Sequence, residues 1–436
     1  MRSMWDSKIG AFIILGVAFS IILISSLSAQ QELNIAPLDE IRFSETTKTA
    51  TMNLDDLQAP KTKHEVFPQK ITFYNNDGTA EFTKEYTENI GVVSTANNKF
   101  LQIWRHSIPP SKDATGINTV DVLDNKCSAL WSKEFPSYPY GLSPYLILSN
   151  QGTGVGVMVD QNKLIFFDDK GNKQNEILVL SPEEAFDKSR ENFSSDGSLF
   201  TIAFAYRCNP VSPDSKRGTR GRIDRTNTMR DMNSELITFT EDGNEVWRSK
   251  LQAKRISRMF ISPDDKYLVC TYTGPGARDK TTFFIDIQTG EELFFSEGID
   301  AHYAEFFNKD NQDFVVLSHQ ANKLILVNLN TRKVSPLYTT TGGNKILGLV
   351  LDQRSHRIGH IAAEQGYEPA LRGQRVTLSS YFLRLFNFDG SLISQGSIPI
   401  ENMGFIRGGD EIKLAKDRLA IHLHDSKRVL LFSISK

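Results

Sequence analysis

Apolar and polar residues alternate along this chain in short bursts, and two kinds of turn cut the bursts in strict rotation after residue 75. One kind, rich in Asn, Asp and Gly, falls at Asn76-Asp77-Gly78, Asn125-Lys126, Lys170-Gly171, Asp242-Gly243, Thr289-Gly290, Thr331-Arg332 and Asp389-Gly390. The other falls at Asn97-Asn98, Gln151-Gly152, Asp196-Gly197, Asp264-Asp265, Asp310-Asn311, Gln353-Arg354 and Lys416-Asp417. The runs between them are short and rich in β-branched and aromatic residues: KITFY at 70, KLIFFD at 163, ELITFT at 235, TTFFIDI at 281, KLILVNL at 323, YFLRLFNF at 381 and RVLLFSI at 428. Such runs bounded by turn chemistry read as strands. Two hairpins per unit make four-stranded units, and a period of about 45 residues is that of a β-propeller blade. No run of helical period competes beyond about 12 residues, and Pro182 to Arg190 is the one short helix candidate.

The expected fold is therefore all-β, a seven-bladed β-propeller over residues 69–436, with eight blades as the alternative because the hairpin at 70–86 also counts as part of a blade. The last strand, RVLLFSI, ends at the C-terminus with no partner after it. The hairpin at 70–86 is expected to supply the missing outer strand, since closure removes the open sheet edges that invite aggregation.

Length alone, 436 residues, would suggest two or three domains, but stacked repeats form one domain. With 39% hydrophobic residues and a formal charge of -2, nothing in the whole-molecule field argues for nucleic acid, so electrostatic specificity has to be local. Ile9 to Ile24 is an uncharged apolar run preceded by Arg2 and Lys8 and followed by small residues to Ala29. Residues 1–29 thus read as an N-terminal apolar helix, either a cleaved signal peptide or a single membrane anchor. Both readings put the rest outside the cytoplasm, in the periplasm or cell envelope, because positive charge precedes the run and Glu32, Asp39 and Glu40 follow it. Residues 30–68 are polar and Thr-rich and read as a poorly ordered linker. Three cysteines, Cys127, Cys208 and Cys270, allow one disulfide at most and read as buried or half-buried thiols.

Phe260-Ile261-Ser262-Pro263-Asp264-Asp265-Lys266-Tyr267-Leu268 and Phe193 to Leu199 resemble the first hairpin of WD-repeat-like propellers. Ile285 to Leu293 and Asp242-Gly243-Asn244-Glu245-Val246-Trp247 are similar to the strand-turn-strand signature of quinoprotein-like repeats. The resemblance covers most of 70–436 at the level of repeat pattern. It implies a fold and little about function, since these superfamilies host enzymes, assembly factors and scaffolds alike. The Trp-Asp dipeptide of WD repeats is absent, and the Trp of the quinoprotein-like signature is matched by Trp247, with Phe294 or Leu392 near equivalent positions elsewhere. The adjacent Cys pair that quinone-dependent members often carry is missing.

Insertions at 107–118, 206–234, 273–280 and 364–379 all fall between second and third strands, which places them on one face of a propeller, where recognition loops gather. The segment 206–234 is the most unusual: Arg207, Lys216, Arg217, Arg220, Arg222, Arg225 and Arg230 stand against Asp214, Asp224 and Asp231. Guanidinium groups are forked donors for carboxylate or phosphate, so Lys216, Arg217, Arg220, Arg222, Arg225 and Arg230 are the candidate binding residues for an anionic ligand or protein partner. His422 and His424 alternate on an expected strand and so share a face, a geometry compatible with a metal; His360 is the only suggestion for a third ligand. His302, between blades, is expected on the loop-rich face. No nucleophile elbow, His-Glu-x-x-His, phosphate loop or dinucleotide fingerprint occurs, no catalytic residue stands out, and no cofactor is expected. The reading is an exported or anchored binding and protein-interaction module. The alternatives are a quinoprotein-like or lactonase-like enzyme with a metal or redox cofactor in the central funnel, and a structural subunit of a membrane-associated complex.

Overall fold

The computed structural model describes residues 31–43, 49–53, 61–75, 79–88, 90–94, 100–107, 117–124, 126, 128–136, 145–148, 155–159, 163–178, 185–193, 198–207, 232–251, 255–273, 280–319, 322–340, 345–352, 354–367, 376–399, 411–415, 417–423 and 428–435. Every element among them is a β-strand, and the architecture is a β-propeller of antiparallel sheets built in chain order. The first sheet holds Thr49–Asn53, Lys61–Val66, Lys70–Tyr74 and Ala80–Glu85; the second holds Ile90–Ser94, Phe100–Ser107, Ile117–Asp124 and Ala129–Pro136. The third is Tyr145–Leu148, Val155–Val159, Lys163–Phe167 and Lys173–Leu178, and the fourth is Ala185–Phe193, Leu199–Arg207, Met232–Thr240 and Glu245–Leu251. Arg255–Ile261, Tyr267–Thr273, Lys280–Asp286 and Glu292–Glu297 form the fifth, and Ala301–Lys309, Gln312–His319, Lys323–Asn328 and Lys333–Thr339 the sixth. The seventh is Lys345–Asp352, Arg357–Tyr367, Val376–Asn387 and Leu392–Ile398, with Gln31–Glu32 added in parallel as a fifth strand. The eighth joins Glu411–Ala415, Arg418–Leu423 and Arg428–Ser435 to Asn34–Arg42.

All the turn positions read from the sequence separate consecutive strands of one sheet, the Asn/Asp/Gly kind between third and fourth strands and the other kind between first and second. The described strands fall into the sheets just given. The hairpin Lys70–Glu85 is the second half of a complete unit whose first half, Thr49–Asn53 and Lys61–Val66, comes from the expected linker. That linker also supplies the outer strand of the last sheet: Asn34–Arg42 lies beside Arg428–Ser435, with the Ser433 hydroxyl donating to the Ala36 carbonyl at 3.3 Å. The hairpin at 70–86 does not take that place. Outer strands pair through backbone and bury little, so Leu33 and Ile35 are the apolar anchors of a stretch that otherwise reads as polar. The helix candidate over Pro182 to Arg190 is likewise corrected, because Ala185–Phe193 pairs along its length with Leu199–Arg207. The apolar run 9–24 lies outside the described residues, among which no helix is long and apolar enough to cross a membrane.

Two compact units, one built around Ile41–Pro336 and the other around Leu337–Ile421, can be followed separately. In the first, the core is a series of layers between successive sheets. Val66, Ile71 and Phe73 of the first sheet pack with Ile90, Ile103 and Leu123 of the second, and Val120, Val122 and Trp131 of the second with Val155, Val157 and Phe167 of the third. Buried Cys270 belongs to the layer between the fourth and fifth sheets, and burial pushes its thiol pKa far up, so it packs as an inert apolar group.

One contact recurs at these layers. The glycine of a third-to-fourth turn has positive φ, and a large side chain of the preceding sheet lies on its bare Cα. Gly171 faces Trp131, Gly243 faces Phe166, and Gly290 faces Trp247, where an added Cβ would approach ring atoms to 2.7, 2.3 and 2.6 Å. The Trp247 indole N–H also donates to the Ile287 carbonyl of the next sheet at 2.7 Å. In the second unit the same arrangement joins Gly390 and Leu337. The turns are held by their first residues: the Asp124 and Asp168 carboxylates each accept two backbone N–H groups, and Asp286 does the same.

Replacing Gly290 by Ala should destabilise by the left-handed strain of about 1–2 kcal/mol plus roughly 1–3 kcal/mol for displacing the Trp247 ring. Gly298, also at positive φ but with nothing within 4 Å of an added Cβ, should lose only the strain. Urea unfolding of the two variants measures the difference, and equal losses would show that the ring contact adds nothing.

Candidate functional site

Each meander brings four chain positions to the end opposite its two hairpin turns: the start of the first strand, the end of the second, the start of the third and the end of the fourth. In the Ile41–Pro336 unit, segments 108–116, 208–231 and 274–279 each join a second strand to a third, and in the other unit 368–375 does so. The basic residues Lys216, Arg217, Arg220, Arg222, Arg225 and Arg230 belong to 208–231 and lie outside the described residues. The register pair Arg207 and Met232 closes the ladder at the root of that segment.

At the same end, four first strands carry a one-residue bulge close to their start. The ladder skips Asp187 between Phe186 and Lys188, Ser257 between Ile256 and Arg258, His302 between Ala301 and Tyr303, and Leu347 between Ile346 and Gly348. A bulge bends the strand and re-aims the extra residue, which is why bulges concentrate beside sites. Ser257 uses its position to donate to the Thr271 carbonyl at 3.1 Å.

His302 has the richest surroundings. Its Nε2 lies 3.5 Å from the Asp300 carboxylate, and Lys280 Nζ approaches the same oxygen at 3.4 Å while donating to Thr273 Oγ1 at 2.7 Å. The Asp300 backbone N–H donates to His319 Nδ1 at 3.0 Å, which assigns the acceptor nitrogen of that ring. The hydrogen bond from His302 and the charge of Lys280 hold the Asp300 carboxyl below the usual carboxylate range. Burial, then the nearby Lys323 ammonium, push the His319 pKa down. The result is a half-buried polar group drawn from two sheets: one carboxylate, one ammonium and two imidazoles, able to hydrogen-bond a polar ligand from both donors and acceptors. His302 was legible in the sequence as a residue between blades. Its partners were not, because Lys280, Asp300 and His319 meet only when the third-strand start of the fifth sheet is laid beside the first and second strands of the sixth.

Of the candidate metal ligands, His422 and His360 are among the described residues. His422 is buried within Arg418–Leu423 against Phe43, with ring centroids 6.1 Å apart, and His424 lies outside the described residues. Among the described residues no group of three His, Cys, Asp or Glu side chains is placed to hold a metal ion. His360 is buried in the second strand of the seventh sheet, packed on Phe386 and Tyr338.

No family model and no curated protein matches this chain. Among solved structures, the Dos1 propeller aligns with a TM-score of 0.52 at 12% identity, over 92% of this chain and 95% of that one. BamB from Moraxella catarrhalis aligns at 0.49 and 13%, over 92% and 100%, and the C-terminal WD40 domain of Sif2 at 0.48 and 9%, over 92% and 99%. At such identities the likeness is one of fold alone, that of a β-propeller.

Burial first and the Arg384 charge second push the His360 pKa down to about 3 from its ordinary 6.5. The unfolded chain binds this proton near pH 6.5 and the folded chain only near pH 3, so stability is complete above about pH 6.5 and declines as pH falls toward 3, by at most about 1.4 kcal/mol per pH unit. A His360→Phe variant should show a shallower loss between pH 7 and pH 4 in urea unfolding at fixed ionic strength, whereas unchanged slopes would clear His360 of the effect.

Proposed function

We propose that this chain is an exported or N-terminally anchored β-propeller that serves as a binding and protein-interaction module outside the cytoplasm. Its ligand face is the end of the sheets that carries the second-to-third-strand connections, and the basic segment within 206–234 is the principal contact. The partner is a protein with an acidic surface or another anionic ligand.

One observation carries this reading: the chain's most basic stretch is inserted at the single point of its sheet where length costs the scaffold little. Arg207 and Met232 close the ladder beneath it, and the third and fourth strands continue in register to the capped turn at Gly243. Long connections rooted in a rigid framework are where recognition resides. Clustered guanidinium groups in an otherwise neutral molecule favour carboxylate or phosphate oxygens. The bulge at His302 and its Asp300, Lys280 and His319 neighbours supply further polar groups at the same end of the fifth and sixth sheets. The apolar N-terminal run and the acidic residues after it support an extracytoplasmic location.

Replacing Arg217, Arg220, Arg222 and Arg225 together by Ala should abolish capture of the anionic partner from the native membrane fraction, with a thermal transition within a degree or so of wild type because the changes lie beyond the Arg207–Met232 pair. Capture is read by affinity purification with quantitative mass spectrometry at two salt concentrations. Undiminished capture by the quadruple variant refutes the basic-segment reading.

A further inference from the structure

His360, Arg384 and Gln395 are register partners on the second, third and fourth strands of the seventh sheet. Residues paired across strands present their side chains to one face, so an imidazole, a guanidinium and a carboxamide stand in one row. The row is buried: His360 is 0% exposed and Arg384 7%. Arg384 Nε donates to Gln395 Oε1 at 3.2 Å. Among the described residues, its Nη1 and both ring nitrogens of His360 are buried with no hydrogen-bond partner.

The walls are aromatic. The guanidinium carbon lies 5.6 Å from the Tyr338 ring and 5.7 Å from that of Phe382, and the His360 ring lies 5.8 Å from Tyr338 and 6.1 Å from Phe386. Cation–π contact offsets part of the hydration that Arg384 gives up, yet it provides no acceptor for Nη1. Arginine does not escape burial by losing its proton, so a buried guanidinium calls for negative charge or an acceptor nearby. Beside it the imidazole is neutral and contributes one N–H. One positive charge, two unfilled donors and an apolar surround complement a small, weakly hydrated, singly charged anion. A phosphate or sulfate, doubly charged and needing many more donors, does not fit such a sparse donor set.

We propose that Arg384 and His360 form a buried binding site for a halide-class monovalent anion, walled by Tyr338 of the sixth sheet and by Phe382 and Phe386 of the seventh. The site is separate from the basic segment and does not depend on the reading of the ligand face. Bound there, the anion supplies the acceptor that the guanidinium lacks and links the two sheets through it.

The test uses the full chain. Its thermal midpoint is followed while chloride or bromide replaces gluconate at constant ionic strength, and crystals grown in bromide are measured at the bromine absorption edge. A saturable upward shift of several degrees with halide, lost in Arg384→Met, together with an anomalous peak beside Arg384, is the expected result. No anomalous peak at Arg384 in the wild-type crystal overturns the proposal even if the variant fails to fold. So does a halide shift of equal size in Arg384→Met.

Discussion

A large side chain resting on a glycine that no other residue can replace is the contact on which this propeller depends. Each sheet is narrow and apolar on both faces, and it becomes stable only when its neighbours cover them. Trp131 on Gly171, Phe166 on Gly243, Trp247 on Gly290 and Leu337 on Gly390 set how closely consecutive sheets approach. The glycine does two things at once. Its positive φ forms the turn, and its missing Cβ leaves room for the ring. Burial of the Trp131 and Phe166 rings at two of these points contributes on the order of 3 kcal/mol each, so the contact links local turn chemistry directly to the layered core.

In the third, fourth, fifth and seventh sheets that constraint acts at one end and frees the other. At the hairpin end, Asp124, Asp168 and Asp286 cap the turns and the glycines dock, so register is pinned there. The opposite end inherits a correct register and can carry insertions, because lengthening a loop whose ends are already held together raises its entropy cost only logarithmically. The segment rooted at Arg207 and Met232 and the bulge at His302 both exploit this freedom. Buried hydroxyls add a second link between sheets near that end: Thr271 pairs with Thr282 at 2.9 Å, accepts the Ala301 N–H at 3.3 Å, and Thr282 donates to the Ile299 carbonyl at 3.0 Å.

The strands legible in the amino-acid sequence share one position. KITFY, KLIFFD, ELITFT, TTFFIDI, KLILVNL, YFLRLFNF and RVLLFSI are all third strands. A third strand is flanked by partners on both edges and covered on both faces, so it is selected for continuous apolar, β-branched and aromatic content, as the buried run Ser234 to Phe239 shows. Outer strands escape notice for the opposite reason. Asn34–Arg42 is held mainly by its backbone and is mostly exposed, so it looks like a tether until the C-terminal strand is placed beside it. Ala185–Phe193 looks helical through its Glu, Asp and Lys content, but pairing with Leu199–Arg207 overrides that weak local preference.

By itself the sequence determined the turn chemistry, the strand rhythm and hence the propeller class, together with the concentration of arginines in one insertion, because these are properties of residues near one another along the chain. Tertiary structure alone decided that strands from 31–66 complete the first, seventh and eighth sheets, since backbone pairing leaves almost no compositional trace. It also decided that His302 meets Asp300, Lys280 and His319, and that His360 faces Arg384. Such meetings depend on which strand lies beside which, and that is set by the docking of whole sheets rather than by any local preference.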